Sequence, residues 1–80
     1  MRQWRDAAGN HIDVRGLPPP QPLVAILRLV HEQGDGGGPV IVHHDRDPLL
    51  LYPELAEIGW VALRIAGAPG EVRLKLQRAS

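Results

Sequence analysis

No cysteine and no phenylalanine occur in these 80 residues. The first absence excludes disulfides, thiolate metal sites and thiol nucleophiles. Hydroxyl nucleophiles are nearly absent too, since there is no threonine and the one serine is the last residue, Ser80. Aromatic side chains are limited to Trp4, Tyr52 and Trp60, too few for the stacking platform of a single-strand nucleic-acid binder. Neither sign of charge prevails: nine basic residues face nine acidic ones, so no net field draws the chain to nucleic acid or anionic lipid. No apolar run approaches the roughly 18 residues of a membrane span, and the opening MRQWRDAAGN lacks a signal-peptide core. The expectation is a cytoplasmic protein with no membrane contact.

A chain of this length makes one domain with one two-layer core, and its 44% hydrophobic and 22% charged residues suit a folded globule. Residues 1–9 show no periodicity and are expected to be a flexible tail. Asn10 to Val14 alternates as a short strand. From Pro20 the period changes, with Leu23, Ile26, Leu27 and Val30 on one helical face up to Gly34. Val40-Ile41-Val42 has the all-apolar character of a buried strand. Leu51, Leu55 and Ile58 share a second helical face, ended by Gly59, with Pro53 tolerable in a first turn. Trp60 to Ala66 alternates, with Val61, Leu63 and Ile65 on one side, and Glu71 to Arg78 sets Val72, Leu74 and Leu76 against Arg73, Lys75 and Gln77. The order βαβαββ predicts an α/β two-layer sandwich over residues 10–80: a four-stranded mixed sheet, its first two strands parallel, with two helices on one face.

The most distinctive stretch is Ile12-Asp13-Val14-Arg15-Gly16-Leu17 followed by Pro18-Pro19-Pro20-Gln21-Pro22. Prolines in a first turn preset the helical φ without wasting hydrogen bonds. Together with HDRDP after the second strand, this stretch resembles the signature of the TusA/SirA-like family, and more closely its cysteine-free DUF2249 group of uncharacterised bacterial proteins. The likeness covers roughly residues 10 to 78. It implies the small sulfur-carrier scaffold and a setting in bacterial redox, sulfur or nitrogen-oxide metabolism. In the carriers a cysteine opens the first helix; the matching position here is Pro19, so the likeness implies the scaffold without sulfur transfer. The prolines also remove amide donors from the helix start, leaving a stiff apolar surface better suited to protein contact than to anions.

His43, His44, Asp45, Arg46 and Asp47 follow the apolar run. Ligand sites form outside the carboxyl ends of parallel strands, and Arg15 follows the first strand, so Arg15 and this cluster are expected to share one edge of the sheet. A metal reading takes a histidine and Asp45 as ligands for zinc or iron, although neighbours on a strand point to opposite sides, and His11 and His31 lack metal-site spacing to the pair. A catalytic reading makes a histidine the general base, with no nucleophile to serve. A structural reading has Asp47 cap the second helix with Pro48 at its first position, and Arg46 pair with a carboxylate. GDGGGP (34–39) lacks the Lys-Ser/Thr of a phosphate loop. The stripe Arg73, Lys75 and Arg78 reads as a solvated face rather than an RNA surface.

The function expected from these readings is a non-enzymatic binding module without a cofactor. It would engage a protein partner or small ligand through Arg15, Pro19, Pro20, His43, His44, Asp45 and Arg46. The alternative is a small metal-binding or metal-delivery protein using His43, His44 and Asp45.

Overall fold

The computed structural model describes residues 1–34 and 36–79. Asp35 of the glycine-rich loop and Ser80, where the expected domain ends, lie outside the described residues. Five strands form one sheet in the order β1-β2-β3-β5-β4: β1 (Arg2–Asp6), β2 (Gly9–Asp13), β3 (Val40–His44), β4 (Trp60–Ile65) and β5 (Val72–Arg78). Helices α1 (Gln21–Gln33) and α2 (Leu51–Glu57) complete the fold. β2 and β3 run parallel, as the βα crossover requires, and the other neighbouring pairs are antiparallel.

The fifth strand corrects the sequence expectation of a four-stranded sheet and a loose tail. Arg2–Asp6 pairs along its length with β2. A tight turn makes this possible: the Asp6 carboxylate accepts the Ala8 amide at 2.9 Å, and Gly9 takes φ +136°. A Cβ at Gly9 would stand 2.5 Å from the Pro39 carbonyl, which accepts the Asn10 amide, so only glycine fits there. β1 escaped the alternation test because Trp4 is its sole large apolar residue.

One core fills the space between sheet and helices. Ile12 and Val14, Val40 and Val42, and Leu74 and Leu76 point from the strands towards Ile26, Leu29 and Val30 of α1 and Leu51 and Leu55 of α2. Both helices therefore cover the same face. The buried stripe of α1 runs through Pro22, Ile26, Leu29 and Val30, rotated from the expected one, with Leu23 and Leu27 half-buried. The proline run precedes the helix as anticipated: Pro20 is the N-cap, Pro22 lies in the first turn, and the Pro19–Pro20 bond is cis.

One further expectation changes, and the core face of β4 is decided. Asp47 does not cap α2, whose N-cap is Leu50 without a side-chain cap bond; the Asp47 carboxylate instead accepts the Tyr52 hydroxyl. On β4 the apolar set Val61, Leu63 and Ile65 lies on the face away from the helices, with Val61 and Leu63 exposed. Trp60 decides this. It is the strand's largest side chain and is buried, and with a period of two its burial sends every odd residue outward. None of the helices among the described residues is long and apolar enough to cross a membrane.

Candidate functional site

β3 carries the two histidines to opposite faces of the sheet. His43 pairs across from Asp13 on β2 and Arg73 on β5, on the face that no helix covers. There its Nε2 meets His11 Nδ1 at 2.9 Å, and its Nδ1 meets Glu71 Oε2 at 2.8 Å. His11 Nε2 reaches Asp6 Oδ1 at 2.8 Å. The Trp4 ring stacks on His11 at 4.8 Å between centroids and leans over His43 at 5.1 Å, and Arg2 covers Trp4 from outside.

Glu71 anchors this network. Its side chain is 3% exposed and accepts hydrogen bonds from Nε and Nη2 of Arg73, at 2.7 and 3.0 Å. Arg73 first, and then His43, hold its carboxyl down at about 2 against the opposing effect of burial. Arg15 forks onto Asp13 at 2.9 and 2.7 Å and holds that carboxyl at about 2 as well. The bond from His11 likewise lowers Asp6. Asp6, His11, His43 and Glu71 thus form one unbroken run of three contacts, with a carboxylate at each end.

His44 belongs to the helix side. Its Nδ1 accepts the backbone amides of Asp45 at 2.9 Å and Arg46 at 3.2 Å, which bends the chain out of the strand. Asp45 then reaches across to the other parallel strand's exit, where its Oδ2 accepts the Gly16 amide at 3.0 Å. That bond lowers the Asp45 carboxyl. The exit of β2 and the exit of β3 are further joined by Val14 N–H donating to the His43 carbonyl at 3.0 Å.

Between these tied loops lies a cleft of about 240 Å³. Leu17, Pro19, Pro20, Pro22 and Leu23 form one wall, Pro48, Leu49 and Leu50 the other, and His44, Arg46 and Asp47 complete it. The rim is unusually apolar for a surface: Leu49 is 70% and Leu50 73% exposed. Tyr52 secures the second wall through Asp47; burial, and then the neighbouring carboxylate, push its hydroxyl up to about 12.

The seven residues singled out by sequence therefore divide. Pro19, Pro20, His44 and Arg46 meet at the cleft, Asp45 braces it, and Arg15 and His43 face the open side with Glu71. His44 and Asp45 lie within 3.1 Å, but His43 faces the other side of the sheet, and no group of three acidic or imidazole side chains among the described residues is spaced for a metal ion. Sequence reasoning missed Trp4, Asp6, His11 and Glu71. The signal for His11 was available in the β2–β3 pairing, which sets it two residues from the partner of His43 on the same face. Leu17, Leu49 and Leu50 were hidden for another reason: apolar residues beside helix starts read as core.

Residues 11–78 match a family described as an uncharacterized conserved protein, DUF2249. No curated protein matches the chain.

Proposed function

We propose that this chain, which belongs to the DUF2249 family, is a non-catalytic binding module that docks an apolar group of a partner protein in the cleft between the β2–α1 and β3–α2 loops. The observation that carries this reading is the cleft itself, with stiff proline walls, exposed leucines at the rim and a position at the carboxyl ends of parallel strands. At about 240 Å³ it falls below the roughly 300–1,000 Å³ of sites that enclose small molecules. It suits the single anchoring side chain of a protein interface, set in a pocket and ringed by further contacts. The prolines favour this use because a fixed backbone loses little entropy on binding.

A TusA-like ancestry is part of the same reading. Pro19 stands where the sulfur carriers have their cysteine, so a loop that carried sulfur there would here be left with contact alone. Bacterial redox, sulfur or nitrogen-oxide metabolism is the proposed setting, and the cytoplasm the proposed compartment.

Photo-crosslinking in living cells tests the reading. A benzoylphenylalanine placed at Leu49 or Leu50 is expected to capture a discrete partner, and the same group at Val61 or Leu63, also exposed but on the open face, is not. Equal capture from both faces, or capture only from the open face, overturns it.

A further inference from the structure

We infer that the group docked in the cleft is an uncharged aliphatic segment of a polypeptide, and that His44 Nε2 donates a hydrogen bond to one of its carbonyl oxygens. This rests on the cleft being the docking site. The argument starts from the tautomer. Nδ1 of His44 accepts two backbone amides, from Asp45 and Arg46, so the ring hydrogen is carried on Nε2. Asp45 Oδ1 lies 3.1 Å from Nδ1 as well, but that nitrogen's lone pair already faces the two amides. No partner among the described residues meets Nε2.

The side chain of His44 is only 4% exposed. Among the described residues every fully buried side-chain nitrogen or oxygen has a partner, so an unpartnered Nε2 must keep an opening. The cavity that His44 lines is the cleft. A lone donor at the base of apolar walls costs free energy when a ligand covers it without an acceptor. The occupant therefore brings one.

Charge decides which acceptor. Arg46 at the cleft is outnumbered by Asp47, which lines it, and Asp45 beside it, which lies 3.7 Å from Arg46. A carboxylate or phosphate would enter a mouth of net negative charge, whereas a neutral carbonyl meets no such repulsion. The apolar surface also extends past the cleft, by way of Leu17 and Pro20, to Val24 and Ala25, further than a small ketone would cover. A chain running across the rim, with one aliphatic side chain between the walls, covers both.

The test uses the whole chain, ¹⁵N-labelled, and three probes: N-acetyl-leucine N-methylamide, N-acetyl-leucine as its carboxylate, and dissolved xenon. The amide is expected to shift the resonances of Leu17, Leu23, His44, Leu49 and Leu50, with the carboxylate about tenfold weaker. His44→Asn keeps an acceptor near the Nδ1 position and removes the Nε2 donor; it is expected to weaken the amide about tenfold while leaving xenon binding as in the wild type. Equal or tighter binding of the carboxylate by the wild-type protein overturns the inference, with no variant needed. So does amide affinity unchanged by His44→Asn. In either case xenon shifts at the cleft leave the docking reading standing; if neither xenon nor the amide moves these resonances, that reading falls too.

Discussion

The two faces of β3 treat neighbouring histidines in opposite ways. On the open face, His43 is one link in a chain of charges running from Asp6 through His11 to Glu71, Arg73, Arg15 and Asp13, nearly every polar atom committed to a partner. On the helix side, His44 spends one nitrogen on the loop backbone and leaves the other without a partner among the described residues, beside the apolar cleft it lines. The first arrangement consumes hydrogen-bonding capacity and the second leaves some over. That difference, more than the residue type, separates a region that holds the sheet together from the one proposed to dock a partner.

Removing the anchor of the open face has the largest expected effect. Glu71→Gln leaves Arg73 and His43 beside a neutral amide in a buried setting, and should cost about 2–4 kcal/mol in urea unfolding. Affinity of the cleft for its probes should stay within about twofold, because the two regions share no side chain. A comparable loss at the cleft would break the comparison.

Acid acts on the same face. The Asp13 and Glu71 carboxyls stand at about 2 in the folded chain, against ordinary values of 3.8 and 4.5. As pH falls the unfolded chain takes up protons first. The stabilisation is therefore complete above about pH 4.5 and drains away between there and about pH 2. Urea midpoints at pH 7 and pH 3 should differ by an amount equivalent to roughly 2–4 kcal/mol, and Asp13→Asn should shrink the difference. A flat profile would show that these pairs contribute little.

Effects on the cleft side are smaller in stability and larger in contact. Asp45→Ala removes the acceptor that ties Gly16 to the β3 exit, so hydrogen exchange at the Gly16 amide should quicken while the sheet amides keep their protection. Leu49→Asp should alter stability by no more than about 0.5 kcal/mol, as an exposed substitution does, yet abolish docking. Strong destabilisation by Leu49→Asp would mean that the exposed leucines are structural after all.

Much of this molecule was legible in its sequence. The helical periods, the parallel βαβ unit and the proline run before α1 all follow from spacing and backbone chemistry. β1 was not legible, because a strand that buries little carries little alternation and is held by a turn and by Trp4 stacking on a histidine. The alternation of β4 left open which side meets the core, and a single buried tryptophan settles it over three smaller residues. The site was half legible. Sequence brings Arg15 and the histidine cluster to one edge of the sheet, but strand parity then sends Arg15 and His43 one way and His44 the other. Glu71, distant in sequence, joins the network only through the β3–β5 register.

The most direct measurement compares His43→Asn with His44→Asn in their affinity for N-acetyl-leucine N-methylamide, each followed on the cleft resonances of a folded sample. The account predicts about a tenfold loss for His44→Asn and a change within about twofold for His43→Asn. Equal losses, or a loss confined to His43→Asn, would contradict the separation of the two faces on which the account depends.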